Sequence, residues 1–173
     1  MITTIVEEKT KLKTGYTTGS SATAASKAAL LSIINQKKIE NVDILLPKRS
    51  YIQIPIHSCE FESEKAKCSV IKNGGDDPDV THGAEIIVEL SFTGKINEID
   101  IDGGEGIGIV TKPGLGLEIN KPAINPVPKK MITENLREVG KEILLEKGIR
   151  VIISVPKGKE LGPKTDNPRL GIT

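Results

Sequence analysis

Aromatic residues are nearly absent from this sequence of 173 residues, which contains two tyrosines, two phenylalanines and no tryptophan. Proteins that bind single-stranded nucleic acids stack bases on aromatic side chains, so this mode of binding has little to use here. The core must be built from isoleucine, valine, leucine and alanine. A chain of this length can bury such a core without disulfides or metals, and it suits a single domain spanning 1–173.

An excess of charge of either sign is also missing, because 24 basic residues stand against 23 acidic ones. Proteins that bind nucleic acids or membrane surfaces need a basic excess, so we expect neither partner. No apolar run approaches the roughly 20 residues of a membrane span. The N-terminal stretch MITTIVEEK lacks the basic region and the long apolar run of a signal peptide. These absences favour a cytoplasmic protein.

Cysteine is limited to Cys59 and Cys68. Their spacing does not form a C-x-x-C motif, and no second pair exists to complete a zinc site. Without a secretion signal, two cysteines are typical of free thiols in a reducing compartment. We therefore expect buried thiols without a catalytic role, and no protein-bound metal.

Hydrophobic periodicity predicts an α+β fold in which helices pack on a mixed or antiparallel sheet in two layers. The predicted helices are 22–35, with Ser20 or Ser21 at the N-cap, and 133–147, with Gly148 as the stop. The predicted strands are 42–46, 51–56, 66–71, 84–92, 96–101 and 150–155. The connections between most of these strands are short, which favours antiparallel or mixed pairing over a doubly wound sheet. The proline-rich stretch 121–128 is predicted to be irregular.

Glycines crowd the segment 102–116, which reads DGGEGIGIVTKPGLG. A dinucleotide fingerprint fails, because Ile109 stands where the third glycine after Gly104 and Gly106 would fall, and no helix follows. A phosphate-binding P-loop motif is also missing. What remains is a loop in which the backbone approaches something closely, or a mobile glycine hairpin, flanked by Glu105 and Lys112.

A polar turn, 14–21 (TGYTTGSS), precedes the first predicted helix. Free amides and the helix dipole favour a carboxylate or phosphate at such a place, and the hydroxyl groups of Thr17, Thr18 and Ser20 add donors. Ordinary capping of the helix explains the same residues equally well.

Three carboxylates and an imidazole share the stretch 73–82, which reads NGGDDPDVTH. Like charges at this spacing repel, so each carboxylate needs a partner such as a backbone amide, a cation or a ligand. The spacing of Asp77 and Asp79 recurs in calcium loops, but the rest of that loop pattern is missing. His82 suits a general base or an ordinary structural histidine.

Four long stretches together resemble one protein family. They are TGYTTGSSATAASKAA, GGDDPDVTHGAEI, GGEGIGIVTKPGLGLEINKPAINPVPKKMI and ISVPKGKELGPKTDNPRLGI. In this order, from Thr14 to Ile172, they resemble the CbiD family, the cobalt-precorrin-5B C(1)-methyltransferases of anaerobic cobalamin (vitamin B12) biosynthesis. The chain departs from the family at Ser21, where a cysteine is common, and at Asn73, where an aspartate is frequent. Family members continue into a second, glycine-rich α/β half, so this chain resembles the α+β N-terminal half alone.

The resemblance implies transfer of a methyl group from S-adenosylmethionine to C1 of cobalt-precorrin-5B, which gives cobalt-precorrin-6A. The donor is already activated and the ring carbon is electron-rich, so the enzyme mainly has to align the two and exclude water. The tetrapyrrole is fringed with carboxylates, which backbone amides, a helix N-terminus and basic side chains can bind.

On this interpretation we expect the polar turns to line one cleft. The candidate catalytic residues are Asp77 and His82. The candidate cofactor-binding residues are Asp76, Asp79, Gly104, Glu105 and Gly106. The candidate substrate-binding residues are Thr17, Thr18, Ser20, Lys112 and Arg169. The aspartates would pair with a positive group of the cofactor or cap the backbone, and His82 would donate to a substrate carboxylate or approach the cobalt.

Two alternatives stay open. The chain can be a non-catalytic tetrapyrrole-binding domain of that enzyme, if the second half carries the cofactor site. It can also be a metal-dependent hydrolase that uses Asp76, Asp77, Asp79 and His82, although fuller ligand patterns are missing. A separate C-terminal half and a second copy of the chain are further candidate partners.

Overall fold

The computed structural model of the chain describes residues 16–73, 82–156 and 158, and it confirms the α+β class. The helices are α1 (Thr18–Asn35), α2 (Pro126–Val139) and α3 (Lys141–Leu144). The strands are β1 (Asn41–Leu45), β2 (Tyr51–Pro55), β3 (Ser58–Phe61), β4 (Lys65–Ile71), β5 (Glu85–Thr93), β6 (Ile99–Gly103) and β7 (Gly148–Ser154). None of the helices in the described ranges is long and apolar enough to cross a membrane.

The main sheet is mixed and has the strand order β3-β4-β5-β7-β6. Neighbouring strands run antiparallel except for β6 and β7, which pair in parallel. A parallel pair needs a long crossover, and the chain supplies it with the segment 104–147, which contains α2 and α3. Strands β1 and β2 form a separate antiparallel hairpin.

Helix α1 is the buried centre of the fold. It packs on β4 and β5 on one side and contacts α2 and β1 on the other. Ala24, Ala25, Ala28 and Ala29 are completely buried, and their small side chains let the sheet approach the helix backbone. The hydroxyl groups of Ser26 and Thr23 donate to carbonyl oxygens four residues earlier in the same helix, so their burial leaves no donor unsatisfied.

Helices α1 and α2 run parallel to each other. A side chain at Gly19 would contact Pro128 at 3.1 Å, so the two N-termini lie together. A side chain at Gly140 would contact Leu30 at 2.9 Å, so the C-terminal halves also lie together. Both helices therefore direct their positive dipole ends toward the same end of the molecule.

Several predicted boundaries are wrong, and each error has a local cause. Strand β3 has only four residues and was missed. The fifth predicted strand, 96–101, lies three residues too early at its start, because Asn97 adopts a left-handed conformation (φ 63) in a turn. Helix α2 starts at Pro126, inside the stretch predicted to be irregular, because a proline in the first turn lacks an amide that would be unsatisfied anyway.

The long predicted helix 133–147 is also interrupted. Helix α2 ends at Val139, with Gly140 as its C-cap, and the short helix α3 follows. Gly148, the predicted stop, is the first residue of β7. A side chain there would overlap the Lys95 carbonyl oxygen and the Thr93 hydroxyl group, which explains why glycine is needed.

Candidate functional site

One end of the main sheet gathers most of the segments that the sequence singles out. The register pairs Ile71 with Glu85, Ile87 with Ser154 and Gly103 with Ile153. The C-terminal ends of β4, β6 and β7 and the N-terminal end of β5 therefore lie at one edge, which we call the loop end of the sheet. The glycine segment leaves β6 at this edge.

The N-terminus of α1 is attached to the loop end by a hydrogen bond from the Tyr16 amide to the Asn73 carbonyl oxygen (2.6 Å). The helix starts at Thr18, four residues before its predicted start, because Thr17 rather than Ser20 or Ser21 is the N-cap. The Thr17 hydroxyl oxygen accepts from the Ser20 amide (3.0 Å), and the hydroxyl group donates to Ser20 Oγ (3.0 Å). The proton of the Thr17 hydroxyl group is thus used by the cap. Ser20 is buried (5% exposed), whereas Thr18 is exposed.

Helix geometry leaves the amides of Thr18 and Gly19 without an intrahelical carbonyl to bind. No acidic residue lies in the first turn of α1 or α2. The backbone amides and the exposed Thr18 hydroxyl group are therefore the donors that this turn offers to an anion, whereas the Thr17 proton is used by the cap.

The acidic stretch begins and ends at the same edge. The Lys72 amide donates to the Ala84 carbonyl oxygen (2.8 Å), and the Gly83 amide donates to the Lys72 carbonyl oxygen (2.8 Å). His82 is exposed in the turn that enters β5. The candidate residues Asp76, Asp77 and Asp79 lie outside the described residues.

The glycine segment packs closely against the end of β7. The Gly104 amide donates to the Ile153 carbonyl oxygen (2.7 Å), and the Val155 amide donates to the Glu105 carbonyl oxygen (2.8 Å). Gly106 has a positive φ of 76, and a side chain there would overlap the Val155 carbonyl oxygen. The close approach that Gly104 and Gly106 permit is thus to β7 and Val155 of the same chain, while Glu105 is exposed.

Residues 107–123 follow the glycine turn and fold back on themselves as an irregular antiparallel ribbon. The Val110 amide donates to the Lys121 carbonyl oxygen (3.0 Å), and Ile109 forms a bridge with Pro122. Lys112 is exposed where the ribbon turns. Arg169, the other basic residue predicted to bind substrate, lies outside the described residues.

Three lysines at this end were missed by the sequence analysis. Lys129 and Lys130 are exposed in the first turns of α2, and the wrong start predicted for this helix concealed their position. Neither forms an ion pair with another described residue. Lys72 is buried (6% exposed) where β4 runs into the acidic stretch. Its position directly after the predicted strand 66–71 is the sequence feature that could have placed it at this end of the sheet.

The loop end is broad. Strands β4, β5, β7 and β6 are consecutive neighbours, so the ends of β4 and β6 lie three strand spacings apart, about 14 Å. The structure thus places Thr17, Thr18 and His82 near β4 and β5, and Gly104, Glu105 and Gly106 near β6 and β7. A ligand that contacts both groups must be large.

A cavity of about 490 Å³ lies elsewhere, between α1, α2 and the β1–β2 hairpin. Its charged groups are Lys27, Asp43 and Glu138, and the Lys27 ammonium group already binds the Asp43 carbonyl oxygen and Glu138. The loop end is the better candidate site because Thr18 is exposed there, as are Lys129 and Lys130, which form no ion pair with another described residue. Among the described residues, no three histidine, cysteine or acidic side chains lie close enough together to hold a metal ion.

Comparison with known proteins identifies relatives along nearly the whole chain. The cobalt-precorrin-5B C(1)-methyltransferase of Geobacillus kaustophilus (strain HTA426) is 48% identical over 167 residues, which cover 96% of this chain and 45% of that protein. The enzyme of the same name from Priestia megaterium is 46% identical over 168 residues, 97% of this chain and 46% of that protein. The chain therefore spans a little under half the length of these curated relatives.

A solved structure agrees with this relationship. The crystal structure of the cobalamin biosynthesis protein cbiD from Archaeoglobus fulgidus superposes with a TM-score of 0.67 at 30% sequence identity, covering 94% of this chain and 50% of that one. The CbiD family model matches residues 5–173. The chain belongs to the CbiD family.

Proposed function

We propose that the chain binds a carboxylate-rimmed tetrapyrrole at its loop end and takes part in the methylation of C1 of cobalt-precorrin-5B, which gives cobalt-precorrin-6A. Relatives that are 46–48% identical to this chain over the aligned residues, which are under half of their own length, carry the name of that methyltransferase. The observation that carries the proposal is the convergence of two parallel helix N-termini with the ends of four strands at one broad edge.

The charges at this edge suit a polyanion. Helix N-termini present amides and positive dipole ends, and carboxylates are stabilised there. Lys112, Lys129 and Lys130 add exposed ammonium groups. The distance of about 14 Å between the two groups of candidate residues suits a macrocycle better than a small anion.

The methyl donor in this proposal is S-adenosylmethionine, which supplies an electrophilic methyl group on a positively charged sulfur. The described residues fit it only in part. The space beside Gly104 and Gly106 is filled by β7 and Val155, so these glycines do not form an open cradle. The exposed Glu105 carboxylate is suited to bind the donor's amino group, and Asp76, Asp77 and Asp79 remain proposed partners for its positive charge.

The chain's own contribution to the reaction would be positioning. The amides of Thr18 and Gly19 and the lysines would hold the carboxylate rim, so that the ring stays fixed while the methyl group is transferred. His82 would donate to a substrate carboxylate near β5. No strong base is required, because the attacking carbon is already electron-rich.

Binding can be tested with uroporphyrin, a carboxylate-rimmed tetrapyrrole, and a pair of matched double variants. Lys129→Ala/Lys130→Ala removes two charges at the loop end, whereas Lys37→Ala/Lys38→Ala removes two exposed charges beyond the far end of α1. We expect the first pair to weaken binding by about tenfold and the second by less than about twofold. Equal weakening in both would show that net charge alone governs binding, and the proposed site would be wrong.

Catalysis is tested separately from binding. Equilibrium dialysis with S-adenosylhomocysteine measures whether the chain alone holds the donor product. We expect binding, and we expect Asp77→Ala and His82→Ala to lower methyl transfer while the circular dichroism spectrum stays unchanged. Tetrapyrrole binding without S-adenosylhomocysteine binding would instead identify a non-catalytic tetrapyrrole-binding domain, which the chain's coverage of 45% of its relative would explain.

A further inference from the structure

The two cysteines face each other across β3 and β4, the first two strands of the main sheet. Cys59 on β3 is the direct register partner of Cys68 on β4. Both are free thiols, and their Sγ atoms lie 3.2 Å apart. Cys59 is 8% exposed and Cys68 is completely buried.

The hydrogen-bond pattern of the hairpin defines the geometry of this pair. The Glu62 amide donates to the Lys65 carbonyl oxygen (2.8 Å), which marks these two residues as a hydrogen-bonded pair. Such pairs alternate with non-hydrogen-bonded pairs along an antiparallel ladder, so the register makes Cys59 and Cys68 a non-hydrogen-bonded pair. The Cα atoms of such pairs lie about 4.5 Å apart, within the range of about 4.4–6.8 Å that disulfides span.

We propose that Cys59 and Cys68 form a thiol-oxidation site, which a small disulfide such as glutathione disulfide converts into a cross-strand disulfide between β3 and β4. The Sγ atoms have to approach by only about 1 Å to reach bonding distance. The opposed strands already hold the two side chains toward each other, so the backbone ladder can stay intact. This site is independent of the proposed methyltransferase role.

The reaction proceeds in two exchange steps. The Cys59 thiolate attacks the disulfide bond of glutathione disulfide, forms a mixed disulfide and releases one molecule of reduced glutathione. Cys68 then loses its proton to solvent and attacks Cys59 Sγ, which breaks the mixed disulfide and releases the second glutathione. The protein is oxidised by two electrons and glutathione disulfide is reduced by two.

The environments of the two thiols assign these roles. Cys59 lies on the edge strand and retains some exposure, so it is the thiol that a soluble disulfide can reach. Cys68 lies inside, against helix α1, and burial raises the pKa of its thiol, so it is a poor first nucleophile. It is, however, directly beside Cys59 and serves as the resolving thiol.

The disulfide would link strand β3 covalently to β4. Strand β3 is four residues long, and β4 is its one neighbour among the strands that the structure describes. A disulfide would hold it against β4 even when its hydrogen bonds open. The expected result is slower amide exchange in β3 than in the reduced protein, with little change in the distant β1–β2 hairpin.

The test treats the native chain with excess glutathione disulfide and analyses it by intact mass and by counting thiols after denaturation. We expect both thiols to disappear together, with a mass loss of two hydrogens and no retained glutathione. The Cys68→Ser variant should instead keep one glutathione on Cys59, and in Cys59→Ser the buried Cys68 should stay unmodified while the chain is folded. Each variant's fold is verified by circular dichroism.

Two results would overturn the proposal. One is survival of both thiols in the native wild-type chain under conditions that oxidise the same chain in urea. The other is a wild-type product that retains glutathione, since Cys68 would then have failed to resolve the mixed disulfide. Both are read on the wild-type chain, so a variant that fails to fold does not weaken the test.

Discussion

Lys27 places an ammonium group in the interior of the molecule, with only 4% of the residue exposed. Its Nζ donates to the Asp43 carbonyl oxygen (2.6 Å) and lies 3.4 Å from Glu138 Oε1. The Tyr51 hydroxyl group donates to the other oxygen of Glu138 (3.1 Å), and the Tyr51 ring centroid lies 5.8 Å from the ammonium nitrogen. A buried charge is tolerated only when it is paired, so this network joins α1 to β1, β2 and α2.

We expect Lys27→Met to lower the free energy of unfolding by about 1–3 kcal/mol, because the Asp43 carbonyl oxygen and the Glu138 carboxylate lose their buried partner. The matched control is Lys65→Met, which removes an ion pair whose side chains are 66% and 68% exposed. That change should cost less than about 1 kcal/mol. Urea denaturation measures both, and equal losses would mean that burial of Lys27 adds nothing.

The phenol of Tyr51 provides a pH-dependent readout of the same network. Its hydrogen bond to Glu138, together with the negative charge of that carboxylate, raises the pKa of the phenol above the ordinary value of 10.0. The neutral phenol is thus favoured in the folded state. Its contribution to stability is present below the pKa of the unfolded chain and is lost as the pH rises through the folded-state pKa.

This shift can be measured directly because the chain has two tyrosines and no tryptophan. In the Tyr16→Phe variant, ultraviolet absorbance reports ionisation of Tyr51 alone. We expect a midpoint above 10.0 and a lower midpoint when Glu138→Gln is added. An unchanged midpoint in the double variant would exclude the hydrogen bond as the cause.

At the scale of elements, the turn after β6 depends on Gly106. Its φ is positive, and an added side chain would overlap the Val155 carbonyl oxygen that follows β7. We expect Gly106→Ala to cost at least about 2 kcal/mol of stability. Gly94→Ala, in a turn where an added side chain would meet no atom within 4 Å, should change stability by less than about 0.5 kcal/mol. Thermal or urea unfolding compares the two, and similar losses would contradict the packing described for this turn.

The local sequence pattern was sufficient to predict the strands whose pairing partners lie close to them in the sequence. The β1–β2 hairpin and strands β4 and β5 occur within one or two residues of their predicted bounds, because alternation and turn residues lie within the same segment. The pairing of β6 was not predictable in this way. It lies beside β7, nearly fifty residues later, and only the folded sheet brings the two together.

In the candidate site too, local features could be predicted from the sequence, whereas contacts made by the folded chain could not. The polar turn before α1 could be identified as a helix start, but the cap at Thr17 depends on which hydroxyl group reaches the Ser20 amide. The glycine segment was expected to allow a close approach, yet a sequence pattern cannot show that the approaching group is Val155. Lys129 and Lys130 were overlooked because the prolines before them suggested an irregular segment.

At the scale of the whole molecule, Asn135 connects the small hairpin to the helical layer. Its side chain is completely buried, accepts from the Leu45 amide (2.8 Å) and donates to the Leu45 carbonyl oxygen (3.0 Å). It therefore provides hydrogen-bond partners for the Leu45 amide and carbonyl groups of β1, as a neighbouring strand would. A third bond reaches the Met131 carbonyl oxygen (2.8 Å).

We expect Asn135→Leu to loosen the β1–β2 hairpin selectively, because Leu45 would lose both backbone partners while the apolar volume is kept. Amide exchange should become at least about tenfold faster in β1 and β2 but not in β4 and β5. The control is Asn35→Leu at the exposed end of α1. Uniform acceleration across both sheets would indicate global destabilisation rather than a local connection.

The parallel arrangement of α1 and α2 gives the helical layer a net electric dipole, although the total charge of the chain is only +1. Two aligned helix dipoles reinforce each other, whereas an antiparallel pair would cancel. The electric field of the two helices therefore steers an approaching anion toward the loop end, which raises the rate of productive encounters there. Capture by this domain should slow as salt is added, even for partners whose final contacts are largely shielded from solvent.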